Sequence, residues 1–282
     1  MLVKALLISV LVQGSAETTA VSDLSPYRID PVLDTSLTVG ALGMIFFAST
    51  VVEPTLKLSP SCSIERTTGF CDPEELNILD RSVVGNWSSE WRLVSDVTNG
   101  IAYALPLIVG AIDSFTSGSS TPWSDWGKDL LVATEAGALA SLVTTLLKFS
   151  IRRPRPTQYN PTLESRFGAT RHQLSFPSGH TSVTAAVSSA YAMTFALRHP
   201  ESNWRWFFYG GAATLTLLTG YARVGGGMHF YTDVLAGALL GTAIGVLVPW
   251  LHHRHHVTLA TLPLQGHAPH SRPIGASFQF SF

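Results

Sequence analysis

Long apolar stretches separated by shorter polar segments dominate the hydrophobic pattern of this chain. The stretch at 130–149 is long enough for a helix to cross the hydrocarbon core of a bilayer. Pro106 lies inside another stretch, where it can kink a membrane helix. The pattern therefore predicts an all-α fold, a polytopic membrane helical bundle of about six transmembrane helices, at 37–52, 97–115, 130–149, 178–197, 206–221 and 231–251.

The two ends of the chain differ from this apolar centre. Lys4, followed by a short apolar run and small residues, is typical of a secretory signal, so 1–16 is interpreted as a signal peptide. Residues 17–36 form a polar N-terminal segment. Residues 252–282 contain six of the ten His residues and are predicted to be a disordered tail. The membrane domain is then 37–251.

Composition agrees with a membrane protein. Only 13% of residues are charged and 46% are hydrophobic, whereas a soluble domain carries about 25% charged residues. The mean hydropathy is +0.25. The net charge of -1 offers no basic surface for nucleic acid. An integral protein of a bacterial-type envelope is expected.

The orientation in the membrane depends on a polar loop predicted at 53–96. Cys62 and Cys71 lie in it and can form a disulfide in an oxidising compartment. The loop is two spans from the polar segment 150–176, so both share one face, which is extracytoplasmic if the cysteines are bridged. A cleaved signal would place the mature N-terminus on that face too. Either the N-terminal run is not a signal, or 37–52 lies along the membrane surface.

A basic string follows the span at 130–149. Lys148 ends the span, where its ammonium can also simply reach the interface. Arg152 and Arg153 can bind anionic headgroups. Arg155 lies in a segment that alternating prolines stiffen, which favours a phosphate clamp.

A second string, Pro177-Ser178-Gly179-His180, opens the next helix. The unpaired N–H groups of a helix start bind phosphate. The Ser178 hydroxyl adds a donor, and Gly179 allows close approach of an anion. A protonated His180 can donate to a leaving oxygen. An ordinary helix cap explains the Pro and Ser equally well.

A third string contains Arg223, three glycines, His229 and Asp233. His229 and Asp233 are four residues apart, so on a helix they share a face. A carboxylate fixes the imidazole tautomer, which makes His229 a candidate nucleophile. The glycines cannot continue a stable helix, and Arg223 can hold two phosphate oxygens. The three strings are separated by even numbers of spans, so they are expected to meet at one membrane face.

Other polar residues are assigned no chemistry. Asp113 and Glu135 fall within predicted spans, where they are expected to make hydrogen bonds between helices. The His cluster at the start of the tail is interpreted as solvated.

In their order and spacing the strings resemble a known family, the type 2 phosphatidic acid phosphatases, which shares its fold with bacterial acid phosphatases and vanadium haloperoxidases. The family pattern is K-x6-R-P, then P-S-G-H, then S-R-x5-H-x3-D. The chain departs from it only at Ala222, where the family usually has a supporting Ser, and this affects fine positioning more than the reaction class. The matching residues are Lys148, Arg155, Pro156, Pro177, Ser178, Gly179, His180, Arg223, His229 and Asp233.

This resemblance implies cleavage of a phosphate ester through a phosphohistidine. His229 would attack phosphorus and Asp233 would orient it, while His180 would protonate the leaving group and then activate water. The family needs no metal, and the chain offers no carboxylate-rich cage for one, so neither a metal nor another cofactor is expected. The phosphate would be held by Lys148, Arg155, Ser178, Gly179 and Arg223.

The sequence leads to a phosphatase acting on a lipid phosphate or diphosphate in the bilayer. Candidate substrates are phosphatidic acid, phosphatidylglycerol phosphate, polyprenyl diphosphate and phosphorylated lipid A. Two alternatives remain. One is an enzyme similar to the vanadate-dependent haloperoxidases, although those relatives are soluble. The other is a non-catalytic phospholipid binder or transporter, against which the intact His pair argues. The oligomeric state stays open.

Overall fold

The computed structural model describes residues 25–52, 55, 61–66, 68–160 and 174–254. The signal peptide assigned to 1–16 and the tail from residue 255 onward lie outside these described residues. Within them the fold is helical, with two isolated β-bridges and no strand. The all-α class is confirmed for this part of the chain.

Eight α-helices form the described part, and six long helical segments dominate it. Two of these segments contain a π-helical turn, at Ala48–Val52 after α1 and at Leu105–Val109 between α3 and α4. Pro106 lies in the second turn, at the predicted kink. The helices are α1 Pro31–Phe47, α2 Ile78–Arg81, α3 Ser89–Ala104, α4 Gly110–Thr116, α5 Pro122–Ile151, α6 Gly179–Arg198, α7 Trp204–Gly225 and α8 Tyr231–His252.

Four of the long segments are apolar enough to cross a membrane: Pro31–Val52, Ser89–Thr116, Pro122–Tyr159 and Tyr231–His252. Helices α6 and α7 have sufficient length but contain more polar residues. In α6 these are Ser and Thr side chains buried among its neighbours. Six crossings therefore remain a prediction.

The prediction of a polar loop over 53–96 is wrong in its last part, because α2 and α3 lie there. Ser88 caps the start of α3 by accepting a hydrogen bond from the Trp91 backbone at 3.1 Å. Polar residues of α3 then point into the bundle: Thr98 is buried and accepts a hydrogen bond from the Thr219 hydroxyl at 2.7 Å. Apolar Leu93 is instead exposed. Because polar residues are buried and an apolar residue is exposed here, the hydrophobic pattern did not predict the first two turns of α3.

Helix α6 lies at the centre and packs against α5, α7 and α8. Its contact with α8 is close because glycines of α8 face it. A Cβ on Gly241 would lie 2.0 Å from the Ser182 carbonyl oxygen, and one on Gly245 would lie 2.4 Å from that of Ala186. Small residues in both helices thus let the backbones approach and fix the start of α8 beside the start of α6.

Replacing Gly241 with alanine is expected to destabilise the fold by about 1–3 kcal/mol, because the methyl group must push α6 and α8 apart. The measurement is the denaturation midpoint in detergent. Gly43→Ala in α1 is the matched control, since nothing lies within 4 Å of its added Cβ; it is expected to leave the midpoint unchanged or raised. Equal effects of the two substitutions would contradict the close contact.

Ion pairs connect the helices at the end where α6 finishes. Arg198 is buried and pairs with Asp113 at 2.8 Å and with Asp129. His199 lies 2.8 Å from the other oxygen of Asp113. The expected helix-to-helix role of Asp113 is therefore confirmed. At the same end, the backbone N–H of Arg254 donates to the Pro26 carbonyl.

Candidate active site

The three motifs meet at the end of the bundle where α5 and α7 finish and α6 and α8 begin. Lys148 lies in the last turn of α5 and Arg223 in the last turn of α7. Ser178 is the N-cap of α6, and His229 directly precedes the N-cap of α8. Residues distant in sequence are thus brought to one place by the antiparallel course of the helices.

His229 is buried, with a side chain 1% exposed. It does not share a helical face with Asp233, as the sequence suggested, because α8 begins only at Tyr231. The backbone turn nevertheless places His229 Nδ1 3.5 Å from Asp233 Oδ2. Burial, reinforced by the charges of Arg155 and Arg223, holds the pKa of His229 well below its ordinary value. The ring is therefore neutral at pH 7.

Asp233 is fully buried and firmly held. It accepts hydrogen bonds from the Phe230 N–H at 2.9 Å and from the Ser175 hydroxyl, and Arg153 Nη1 donates to it at 2.6 Å. Its position is thus set by neighbours rather than by the imidazole, and the carboxylate beside His229 is fixed before any ligand arrives.

Arg153 was missed as a site residue, because the sequence left it as a headgroup contact. It joins two fully buried carboxylates: Nη1 contacts Asp233 and Nη2 contacts Asp80 at 2.8 Å. Thr232 also donates to Asp80, at 2.6 Å. The short helix α2, which carries Asp80, therefore anchors the start of α8. No pattern in the sequence pairs residue 80 with residue 233.

His180, the second His of the motifs, is partly exposed and lies 2.9 Å from Asp96 through its Nε2. Asp96 was also missed, since it fell in the segment predicted to be a loop. Arg223 Nη1 lies 3.8 Å from the same carboxylate oxygen and 3.2 Å from the Ser95 hydroxyl. Helix α3 thus supplies a carboxylate that orients one imidazole and one guanidinium of the site.

Positive charge surrounds His229. The charges of Lys148, Arg155 and Arg223, together with that of His180 when protonated, all act on its ring. The Lys148 ammonium lies against Gly179, where an added Cβ would be 3.4 Å from Nζ. A dianion placed beside His229 would therefore be met by several fixed cations.

The start of α6 offers backbone donors to the same place. Ser178 is buried; its N–H donates to the Asp233 carbonyl at 3.0 Å. Its hydroxyl lies 2.9 Å from that of Thr181, so the side chain predicted to bind phosphate already has a neighbour. The following N–H groups of α6 are those that a helix start presents to an anion.

The three glycines end α7, as the sequence predicted. Gly225 is the last helical residue, and the chain turns only at Gly227, whose φ is +67°. A Cβ there would lie 1.9 Å from the Asn86 carbonyl oxygen. Gly227 therefore allows the segment before α3 to pack closely against the turn that precedes His229.

A cavity of 280 Å³ adjoins the site. Lys148, Gly179 and His180 line one part of it, and Ile45 and Tyr103 line another. It thus extends from the cationic groups to residues of α1 and α3, two of the segments apolar enough to cross a membrane.

The cysteine loop packs against this end of the bundle. Cys62 and Cys71 form a disulfide, as the sequence suggested. The Cys71 N–H donates to the Gln158 carbonyl at 3.1 Å, and the Ser61 hydroxyl donates to the Arg152 carbonyl at 2.7 Å. The disulfide and the basic motif are therefore on the same side.

Comparison with known proteins identifies the class. Residues 129–256 match the model of the PAP2 superfamily, a range that contains all three motifs. The resemblance inferred from the motifs is therefore confirmed for this part of the chain. With its apolar helices, the chain is an integral membrane protein.

Two curated relatives are similar over part of their length. A lipid A 1-phosphatase of Porphyromonas gingivalis is 29% identical over 126 residues, which cover 45% of this chain and 24% of the relative. A phosphatidylglycerophosphatase B of Bacillus subtilis is 37% identical over 109 residues, covering 38% of this chain and 50% of the relative. The chain thus matches a quarter to a half of these proteins.

A solved structure is also similar. The transmembrane PAP2-type phosphatidylglycerolphosphate phosphatase from Bacillus subtilis aligns with a TM-score of 0.46 and 23% identity, over 77% of this chain and 94% of that one.

Proposed function

We propose that this protein is a phosphatase that hydrolyses a lipid phosphate or lipid diphosphate through a phosphohistidine on His229. The observation that carries the proposal is the burial of the His229 imidazole among the charges of Lys148, Arg155 and Arg223, which lowers its pKa and keeps it neutral. A neutral imidazole is a nucleophile, and fixed cations stabilise the charge that develops on a phosphoryl group in the transition state.

In the first step, His229 Nε2 attacks phosphorus while the bond to the lipid oxygen breaks. His229 Nδ1 faces Asp233, which stabilises the positive charge that the ring acquires. Protonated His180 gives its proton to the leaving oxygen, and the Asp96 carboxylate at 2.9 Å orients its ring. The products are a free lipid alcohol, or a lipid monophosphate from a diphosphate, and a phosphorylated His229.

In the second step, His180, now neutral, takes a proton from water, and the water oxygen attacks phosphorus. The bond between phosphorus and His229 breaks, inorganic phosphate leaves, and both imidazoles return to their initial states. Lys148, Arg155, Arg223 and the N–H groups at Gly179 hold the non-bridging oxygens throughout.

Replacing Asp96 with asparagine is expected to lower kcat for a lipid phosphate by about 10- to 100-fold, the usual effect of losing an orienting partner. The rate falls because the alkoxide that leaves from a lipid phosphate needs the proton of His180. For p-nitrophenyl phosphate, whose leaving group needs little protonation, the rate of the first step, measured as the burst of p-nitrophenol, is expected to change far less. A structural role for Asp96 would lower both rates equally. Glu90→Gln in the same helix is the control, because the hydrogen bonds that Glu90 makes in the described part of the chain come from Ser88 and Ser89 in its own turn.

The proposed chemistry needs no metal, because side-chain cations meet the phosphate charge. Treating the purified protein with a chelator is therefore expected to leave kcat within about twofold of its initial value, since a lost Lewis acid would cost several kcal/mol. The assay is phosphate release at a temperature well below unfolding. Loss of activity that a divalent metal restores, with the fold intact, would contradict this prediction.

A lipid substrate is favoured by the cavity that runs from His180 to Ile45 and Tyr103. A headgroup phosphate would lie among the cations while an acyl chain leaves between helices. Phosphatidylglycerol phosphate and phosphorylated lipid A are the first candidates, because the relatives are named for them. Phosphatidic acid and polyprenyl diphosphate are the others.

We further propose that six helices cross the bilayer, with α6 and α7 shielded by their more apolar neighbours, and that the active face is extracytoplasmic. The disulfide beside the basic motif supports this orientation, because disulfides persist in oxidising compartments. Residues 1–16 would then direct export or anchor the chain.

The deciding experiment offers the four lipid phosphates and a soluble sugar phosphate to the purified protein in detergent and measures released phosphate. Faster release from at least one lipid than from the sugar phosphate is expected. Absence of release from every compound, by a folded protein that binds phosphate, would favour a binder or transporter.

A further inference from the structure

A second cluster of titratable side chains lies at the end of the bundle opposite His229. It consists of Asp34 in the first turn of α1, Glu135 in α5 and His252 at the end of α8. Because α8 has 22 residues, about 33 Å separates its two ends. The cluster therefore has no part in the proposed phosphatase chemistry.

The His252 ring is oriented for binding. Its Nδ1 lies 2.9 Å from the Val248 carbonyl oxygen, so Nδ1 carries a hydrogen and Nε2 is the ring nitrogen left to bind a metal. Metal-binding histidines are commonly fixed in this way by a backbone carbonyl. The Nε2 atom faces the two carboxylates.

The distances do not suit direct hydrogen bonds. His252 Nε2 lies 3.5 Å from Asp34 Oδ1 and 3.5 Å from Glu135 Oε2, beyond the usual range for such bonds. All three atoms lie within 4.8 Å of one another. Ligands at about 2.0–2.1 Å from a tetrahedral zinc ion are roughly 3.4 Å apart, close to the two observed separations of 3.5 Å.

The charges are also unbalanced. The side chains of Asp34 and Glu135 are only 8% and 14% exposed. Buried Glu135 Oε2 has no hydrogen-bond partner among the described residues, whereas Asp34 Oδ2 accepts from the Asp30 N–H at 2.8 Å. One imidazole, whether neutral or protonated, leaves at least one negative charge of two such ionised carboxylates uncompensated, which is costly away from water.

We propose that Asp34, Glu135 and His252 bind one divalent transition metal of the zinc type, with water completing its coordination. A nitrogen ligand beside two carboxylates suits zinc or manganese better than magnesium or calcium, which prefer oxygen alone. The ion connects α1 to α5 and α8. Besides Asp34, helix α1 buries only Thr38 and Ala41. The metal therefore strengthens the attachment of a weakly packed helix.

The test uses the full chain purified with a tag that contains no histidine, stripped with a chelator and titrated with zinc. One equivalent of zinc is expected to bind tightly. At a hundredfold excess over its Kd, zinc is expected to raise the unfolding temperature by roughly 5–10 °C. Magnesium at the same concentration is expected to have no such effect.

Glu135→Gln, which keeps the shape of the side chain, is expected to raise the zinc Kd at least tenfold and to reduce the thermal shift to about half or less. His252→Ala is expected to do the same. His253→Ala is the matched control, since it removes a neighbouring imidazole but no ligand, and it should bind zinc as the unaltered chain does. Tight binding by Glu135→Gln, or no single tight equivalent in the unaltered chain, would overturn the proposal. Phosphatase activity is a separate readout, because the active site lies at the other end.

Discussion

Replacing His229 with alanine is expected to lower kcat for every lipid phosphate by at least about 10⁴-fold, as the loss of a nucleophile does in other enzymes. The cations Lys148, Arg155 and Arg223 remain, so inorganic phosphate should still inhibit or bind with an affinity within several-fold of the original. The measurements are phosphate release and phosphate binding on the same preparation.

The combination of lost turnover and retained binding separates chemistry from folding. His253→Ala, at the far end of α8, is the control and should keep full activity. A His229→Ala variant that turns over at more than a tenth of the original rate would eliminate the proposed mechanism.

Replacing Arg153 with alanine is expected to destabilise the fold by about 3–5 kcal/mol, because it leaves two buried carboxylates without their cation. Asp80 and Asp233 are both fully buried, and Arg153 itself is only 19% exposed. Activity should fall as well, since Asp233 would lose the partner that fixes it beside His229. The measurement is the free energy of unfolding in detergent.

The adjacent residue provides the control for this effect. Arg152 is exposed, and Arg152→Ala is expected to change the free energy of unfolding by less than about 0.5 kcal/mol. Arg153→Lys should recover part of the loss by restoring a charge that reaches one carboxylate at a time. Equal stabilities of the Arg152→Ala and Arg153→Ala variants would contradict the buried network.

The sequence predicted the helical class and the convergence of the motifs because both follow from local signals. Apolar stretches predict membrane helices, and an even number of spans between the motifs brings Lys148, His180 and His229 to one end. The disulfide between Cys62 and Cys71 could be suggested from their spacing in a polar loop.

The supporting residues could not be predicted from the sequence. Asp80 and Asp96 lie in the segment predicted to be a loop. Polar residues there such as Ser95 are buried while Leu93 is exposed, so its hydrophobic pattern is the reverse of that of a soluble helix. Arg153 looked like one basic residue among several, and its partners are 73 and 80 positions away. Pairing over such distances is set by tertiary packing, which no local pattern encodes.

The lack of a local signal also explains why His229 was wrongly placed on a helix with Asp233. A spacing of four residues indicates a shared face only when both residues are helical, and α8 begins two residues after His229. The turn formed around Gly227 brings the imidazole near Asp233 by another route. The proximity was expected, but the backbone that produces it was not.

The central claim is a covalent bond between phosphorus and His229, and the most direct test is to trap it. His180→Ala with radiolabelled p-nitrophenyl phosphate should form the phosphoenzyme, since this leaving group needs no acid, and should break it down slowly, since no base activates water. After quenching in alkali and proteolysis, the label is expected on the peptide containing His229 and is expected to be absent when His229 is also replaced. Label on another residue, or equal labelling without His229, would contradict the account.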